Sequence, residues 1–379
     1  MMRLSATEIT KSFGQTVALR NVSLAVAPGE FLCVLGPTNA GKTTLLKTIA
    51  GLHFPDRGTI TINGREVTLW EPARRNVSLL FQSVALFPHR TGFENLAFPL
   101  RLKHVAETEI KNRVYRIAEL LRITAVLDRL PKTFSGGERQ RVALGRAVIQ
   151  PADLLLLDEP LANLDARIRR ELRQEFHRLR RAEGQTTIYV THDHIEALSL
   201  GDRVAVLRQG TIRQVGSPES IYEHPADSFV AEYVGAPRIN LFPAKFQADH
   251  KSLTLIGADI TLPFTSDFPV KLPGEELLIG IRPESVAVGD RAVAETPWSA
   301  QLRSVEYLGH RLLLHAQRDR ILVRALVPAD QTRRAGDQIW LGFSVAHGMV
   351  FDRTGLCLGT VRNWSATTRE NRQLSVAPS

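Results

Sequence analysis

Cysteine is scarce. Only Cys33 and Cys357 occur in 379 residues, and they stand far apart in the chain. That spacing offers no disulfide framework and no thiolate metal site, and it fits two buried thiols in a reducing compartment. Long apolar runs are missing as well: no stretch approaches the roughly 18 residues that a membrane-crossing helix needs. The opening MMRLSATEIT has no apolar segment of the kind a secretory signal requires, so no export leader is expected. If such a chain works at a membrane, other subunits must do the crossing. Self-similarity at periods of about 20–50 residues is also absent, which excludes solenoids and propellers. Acidic residues are the minority charge: 39 Asp and Glu against 48 Lys and Arg give a net charge of +9. That surplus suits an acidic partner, either nucleic acid or an anionic membrane leaflet. The arginines are spread along the chain, however, and a solvated basic surface reads equally well.

The length favours two domains, and the pattern changes character near Gly235-Ala236-Pro237. Before that point, residues 3–9 and 17–27 alternate as strands do, and Phe31 to Leu35 form a continuous apolar run suited to a strand buried on both faces. Lys42 to Ala50 reads as a helix with Leu45, Leu46 and Ile49 inward, ended by Gly51. Residues 89–130 read as mainly helical with breaks near Pro99 and Pro131, and Ala166 to Ala182 as a long arginine-rich helix. Leu154–Leu157, Thr186–Val190 and Val204–Leu207 read as further buried strands. After residue 235 come short strands at 251–256, 277–282, 301–307, 312–316, 321–326 and 338–343, the mark of a small all-β barrel. Residues 362–379 are polar and without periodicity, and are expected to fray.

Between the Phe31–Leu35 strand and the helix from Lys42 lies Gly36-Pro37-Thr38-Asn39-Ala40-Gly41-Lys42-Thr43, followed by Thr44. It fits the G-x-x-x-x-G-K-T loop, whose amides and following helix N-terminus surround a polyphosphate. Lys42 supplies a positive charge to the β and γ phosphates, and Thr43 a hydroxyl to Mg²⁺. Asn39 stands where glycine is common. Asparagine tolerates positive φ better than most residues, so it either keeps the loop geometry or is a neutral, solvent-facing change. Leu154 to Leu157 then deliver Asp158, Glu159 and Pro160 at a strand's C-terminal end, where open α/β sheets bind ligands. Asp158 suits a place beside Mg²⁺, and Glu159 a general base acting on water. Phe134-Ser135-Gly136-Gly137-Glu138 opens another helix with free amides and no side-chain obstruction, a second anion site; an ordinary capped helix is the bland alternative.

With these stretches in this order, the chain resembles the ATP-binding subunits of ABC transporters. The resemblance implies an α/β fold: a P-loop ABC ATPase domain with a helical subdomain over residues 1–235, then a smaller all-β, OB-like regulatory domain over 236–361. It implies a head-to-tail pair in which Ser135, Gly136, Gly137 and Glu138 of one subunit close over ATP held by the other. In this likeness Phe13 stacks on adenine, Gln82 senses Mg²⁺ and the membrane domains, Asn163-Leu164-Asp165 cross the interface, and His192 contacts the γ-phosphate. Phe134 and Glu138 depart from the more usual leucine and glutamine. The resemblance continues through residues 216–242, Gly280-Ile281-Arg282-Pro283-Glu284 and Val305-Glu306-Tyr307-Leu308-Gly309. It points to the bacterial subfamily of maltose-importer type that energises uptake of sugars, polyols and glycerol phosphate.

The implied protein is an ATPase using ATP and Mg²⁺, peripheral on the cytoplasmic face of the inner membrane. Its implied partners are an identical or sister ATPase subunit, two integral membrane permease subunits and, indirectly, an extracytoplasmic solute-binding protein. An importer ATPase for iron, polyamine or sulfate stays open. So does a soluble ABC ATPase acting on nucleic acid or ribosomes, although the chain has one cassette and no long coiled-coil insertion. Nucleic acid is not expected at residues 236–379, because Trp298, Tyr307, Trp340 and Phe343 are scattered, and Arg303, Arg311 and Arg324 alternate with Glu284, Glu306 and Asp319.

Overall fold

The computed structural model describes residues 2–81, 85–162, 164–247, 252–257, 260–263, 276–291, 298–330, 332–343 and 348–360. The chain divides into two compact units, Met1–Glu219 and Ser220–Ser379. The expected tail at 362–379 lies outside the described residues, as do Gln82 and Asn163.

The first unit is α/β. An antiparallel sheet in the order β2-β1-β4-β5 is built from β1 (Leu4–Phe13), β2 (Thr16–Val26), β4 (Arg57–Ile62) and β5 (Arg65–Glu66). A second sheet contains β3 (Phe31–Leu35), β6 (Val77–Leu80), β7 (Leu154–Asp158), β8 (Thr187–Thr191), β9 (Arg203–Arg208) and β10 (Thr211–Gly216). Its order is β10-β9-β3-β8-β7-β6, parallel from β9 to β6, with β10 antiparallel at one edge. Every residue of β3, β7 and β8 is buried, which explains their unbroken apolar sequence. Helix α1 (Lys42–Ala50) sends Leu45, Leu46 and Ile49 into a core shared with both sheets.

Helices α2 (Gly92–Leu102), α3 (Glu107–Leu120) and α4 (Gly136–Val148) form the helical part, and α5 (Ala166–Glu183) and α6 (His194–Leu200) follow β7 and β8. The expected break at Pro99 does not occur: Pro99 lies inside α2. An interior proline costs about 3 kcal/mol, but this helix is held elsewhere. Thr91 and Glu94 form a reciprocal cap at its start, and Leu96, Ala97 and Leu100 are fully buried. The buried Asn95 amide also donates to the carbonyls of Phe87, Arg90 and Thr91.

Short helices α7 (Pro218–Glu223) and α8 (Ser228–Tyr233) precede the strands of the second unit. One antiparallel sheet runs β13-β12-β11-β14-β20-β21, from β11 (Asn240–Phe246), β12 (Ser252–Leu255), β13 (Thr261–Pro263), β14 (Glu276–Ile281), β20 (Met349–Phe351) and β21 (Cys357–Thr360). The other runs β15-β19-β16-β17-β18, from β15 (Val286–Gly289), β16 (Trp298–Tyr307), β17 (Arg311–Arg318), β18 (Ile321–Pro328) and β19 (Gln338–Phe343). Alternate residues of the two sheets fill one core, so the part of the unit after α8 is all-β and nearly barrel-shaped. Trp298 and Phe343 belong to that core, Trp340 is half-buried, and Tyr307 is exposed.

Candidate functional site

Strand order decides what meets what. β8 lies between β3 and β7, and all three run parallel. The loop after β3, the acidic turn after β7 and the histidine after β8 therefore emerge side by side at one edge of the sheet.

The glycine loop has its shape for reasons internal to the chain. A Cβ on Gly36 would collide with the Leu207 carbonyl of the neighbouring strand β9. Gly41 stands at φ 103, and a Cβ there would lie 2.5 Å from the Ala18 carbonyl oxygen. Asn39 stands at φ 64, the left-handed conformation that its identity suggested. Thr38 and Asn39 are exposed, Pro37 is half-buried, and Ala40 is buried. Because Gly41 precedes α1, no side chain caps that helix, and its first amides point out at the sheet edge. The Thr44 carbonyl accepts from the Thr48 hydroxyl at 2.8 Å.

Lys42 folds back into this loop. Its ammonium donates to the carbonyls of Gly36 and Pro37, each at 2.9 Å, and lies 3.8 Å from a Glu159 carboxylate oxygen. Burial pushes its pKa down, while the charges of Glu159 and Asp158 oppose the shift. Thr43 Oγ1 donates to Asp158 at 3.2 Å. Burial raises the Asp158 carboxyl pKa; the Thr43 bond opposes this, and the neighbouring Glu159 charge adds to it. Glu159 Oε1 lies 3.1 Å from His192 Nδ1, and the histidine ring is more than half exposed. The structure thus brings Lys42, Thr43, Asp158, Glu159 and His192 together.

Sequence reasoning missed how Glu159 is held. It stands at φ 47 immediately before Pro160. A non-glycine residue in this region costs about 1–3 kcal/mol and persists where its surroundings over-determine it. Its N–H donates to Val190 at 2.9 Å, and its carbonyl accepts from Ala162 at 3.3 Å. A buried network behind the site was also missed: Tyr189 and Thr191 both donate to Glu196 at 2.9 Å, and burial raises the Glu196 pKa. Asp193 caps α6 through Ile195 and Glu196. A polar residue directly before an apolar helix is the signal that could have found it.

At the start of α4 the free-amide reading needs correction. Ser135 Oγ accepts from the Glu138 amide at 3.2 Å, and the Glu138 carboxylate accepts from the Ser135 amide at 2.6 Å. This is a reciprocal cap, which glutamate completes as well as glutamine, so Glu138 is no anomaly. Phe134 is buried with the Arg129 guanidinium 5.9 Å from its ring centre. Nothing lies within 4 Å of where a Cβ on Gly136 would stand, and the nearest atom to one on Gly137 is Leu164 Cδ2 at 3.7 Å. Among the described residues, no packing requires these two glycines.

Leu164 is buried, and Asp165 accepts from the Ile168 amide at 3.0 Å in the first turn of α5. Phe13 is 46% exposed, so it is not a packing residue. Its ring meets His53 edge-on at 5.1 Å with the Lys11 ammonium 5.5 Å away, and no described contact joins it to the phosphate loop. Gln82 and Asn163, expected beside magnesium and at an interface, fall outside the described residues.

Comparison with known proteins adds to this geometry. A family model described as ABC transporter matches residues 19–162, and one described as TOBE domain matches residues 279–351. The chain is 39% identical to the trehalose/maltose import ATP-binding protein MalK of Thermococcus litoralis, across 92% of this chain and 96% of that one. It is 37% identical to the lactose transport ATP-binding protein LacK of Rhizobium radiobacter, across 94% and 99%. It is 39% identical to the sn-glycerol-3-phosphate import ATP-binding protein UgpC of Paracoccus denitrificans, across 82% and 85%. Among solved structures, it is similar to a dimeric post-hydrolysis state of the ATP-binding cassette MJ0796 bound to ADP and Pi. That likeness has a TM-score of 0.52 and 28% identity, and covers 57% of this chain and 98% of the other.

Proposed function

The chain belongs to the ATP-binding proteins of ABC transporters, which bind and hydrolyse ATP, and from that premise we propose that it energises uptake of a carbohydrate-type solute through partner membrane subunits. The solute class, a sugar, polyol, glycerol or glycerol phosphate, rests on the relatives, whose printed names are those of trehalose/maltose, lactose and glycerol-3-phosphate transport proteins. No helix among the described residues is long and apolar enough to cross a membrane. In the proposed reading, which rests on the import relatives, the chain sits on the cytoplasmic face of the membrane against two permease subunits, with a solute-binding protein acting from the far side. ATP chemistry is placed in residues 1–235 and regulation in residues 236–361.

The observation that carries the reading is the convergence of Lys42, Thr43, Asp158, Glu159 and His192 at one sheet edge beside an uncapped helix start. In the proposed mechanism the loop from Gly36 to Thr44 wraps the phosphates with its amides, and Lys42 turns from the Gly36 and Pro37 carbonyls to the β and γ oxygens. Glu159 accepts a proton from the attacking water as the water oxygen bonds to the γ-phosphorus. The bond from that phosphorus to the β,γ-bridging oxygen breaks, and ADP leaves. His192 holds the Glu159 carboxylate in place and reaches the γ-phosphate from its exposed ring. Thr43 and Asp158 offer two hard oxygen donors 3.2 Å apart, which fits a magnesium ion carried with ATP. That ion would supply positive charge against the phosphate oxygens. Phe13, exposed and aromatic, is assigned to adenine.

The dimer follows from the bare glycines of α4. Among the described residues nothing stands within 4 Å of a Cβ at Gly136, and only Leu164 comes within that distance of one at Gly137. We assign the face of these two glycines, with Ser135 and Glu138, to the ATP of a second subunit, and Leu164 and Asp165 to the crossing between the two. A nucleic-acid role is disfavoured because Trp298 and Phe343 are spent on the core of the second unit and cannot stack on bases.

Glu159→Gln tests the chemistry. It should bind ATP, form an ATP-dependent dimer on sizing, and hydrolyse about 10²–10⁴-fold more slowly. Wild-type turnover in that variant would remove Glu159 as the base. Deleting the chain should abolish ATP-dependent accumulation of the carbohydrate solute in cells; loss of iron, polyamine or sulfate uptake instead would shift the solute class.

A further inference from the structure

Gln140 lies one and a half turns into α4 and is almost completely buried, at 3% exposure. Its side-chain amide donates to the Pro160 carbonyl at 2.6 Å, across 20 residues of sequence. Pro160 directly follows Glu159, whose φ of 47 places it in a conformation that needs support from outside. The backbone bond to Val190 secures only the N-terminal side of Glu159. On the C-terminal side the chain turns at once, with the Ala162 amide reaching back to Glu159 and the Leu164 amide to Leu161, each at 3.3 Å. The Gln140 amide grips the peptide carbonyl inside that turn.

We propose that Gln140 is a positioning residue for Glu159: its buried bond to the Pro160 carbonyl fixes the left-handed turn that aims the carboxylate. The inference rests on the reading that Glu159 is the base. Gln140 touches neither the nucleotide nor the attacking water. An amide serving only to fill the core could bond to any carbonyl of its surroundings, whereas this one holds the residue beside the strained position. Because α4 begins at the Ser135 cap, the bond also ties the aim of Glu159 to the seating of the helix that faces the second subunit's nucleotide.

The test is a double-mutant cycle on the full chain in the assembled transporter. Gln140→Met keeps length and volume but has no N–H to donate. It should lower kcat about 10-fold, leaving KM and the ATP Kd within about two-fold. In the Glu159→Gln background the same change should have no further effect on residual single-turnover hydrolysis, because the group being aimed is gone. Gln140→Leu, which is close in volume and has no N–H to donate, should give the same split. It serves where the methionine variant melts early. An unchanged kcat in either variant overturns the proposal, and so does a loss that simply multiplies with that of Glu159→Gln. If Glu159→Gln alone keeps wild-type turnover, it is the assignment of the base that fails. If Glu159→Gln is slow and the effects multiply, the role of Gln140 alone fails.

Discussion

Gly136→Ala should make the chain slightly more stable and much less active. A Cβ at Gly136 has no atom within 4 Å, and its φ lies outside the left-handed region, so the fold has room for the methyl group. Alanine is favoured over glycine in a helix by up to about 1 kcal/mol, and for a unit of this size 1 kcal/mol moves the melting midpoint by about 2–4 °C. Function should move the other way. If the bare face of α4 closes on the second subunit's nucleotide, the methyl group lands in a packed contact, at a cost of about 1–3 kcal/mol. At 1.4 kcal/mol per factor of ten, closure weakens by about 5- to 150-fold. Two assays separate these effects: thermal unfolding of the nucleotide-free chain, and steady-state hydrolysis in the assembled transporter. The ATP Kd of the unpaired chain should stay unchanged, since its own phosphate loop is intact. Gly36→Ala is the control: its Cβ would meet the Leu207 carbonyl, so stability should fall together with activity. A Gly136→Ala protein as active as the wild type would mean that nothing approaches this face, and the head-to-tail arrangement would have to be abandoned.

Lys42→Ala should abolish turnover, because no other side chain of the phosphate loop carries positive charge; near-normal hydrolysis in the assembled transporter would sink the assignment. Asn39→Gly should leave ATP affinity nearly unchanged and Asn39→Val should weaken it, since valine at φ 64 is strained by about 1–3 kcal/mol; equal affinities in titrations of all three proteins would contradict this. Asp158→Asn should raise the melting midpoint of the nucleotide-free chain at pH 7 while hydrolysis falls. Burial lifts the carboxyl's folded pKa above its ordinary 3.8, so the native chain takes up the proton more readily than the unfolded one. Ionisation then destabilises the fold as pH rises from that ordinary value, and the loss is complete above the folded pKa. Melts across pH should therefore show the gain shrinking in acid; a gain that is constant with pH would refute the cause given.

Much of the site was legible because it depends on patterns that are local. Phe31–Leu35 and Leu154–Leu157 announce buried strands, and the residues after each are the candidates for the chemistry, so the phosphate loop and the Asp158–Glu159 pair could be read directly. That β8 lies between them depends on pairing across more than 150 residues, which no local pattern encodes. The backbone of Glu159 was illegible for the same reason. Nothing in Asp-Glu-Pro announces a positive φ; the bonds around it come from Ala162 nearby and from Val190 and Gln140, both distant from the local pattern. Pro99 misled because propensity counts the lost hydrogen bond and not the buried Leu96, Ala97 and Leu100 that offset it. Two residues that only the resemblance suggested, Gln82 and Asn163, lie outside the described residues.

The charges at the sheet edge support a substrate that brings both signs of charge at once. Burial shifts Lys42 toward the neutral amine, against the charges of Glu159 and Asp158, and shifts Asp158 toward the neutral acid. A polyphosphate by itself would satisfy Lys42 and the uncapped start of α1, but it would set more negative charge beside Asp158 and Glu159. A divalent cation by itself would satisfy Asp158 and oppose Lys42. Only the two together relieve both groups, so under the proposed reading the nucleotide and its magnesium ion bind as one ligand. Glu159 sits between the two demands, 3.8 Å from the ammonium and 3.1 Å from His192. Under the proposed reading, when Lys42 turns to the phosphates His192 stays beside the carboxylate and helps orient it toward water.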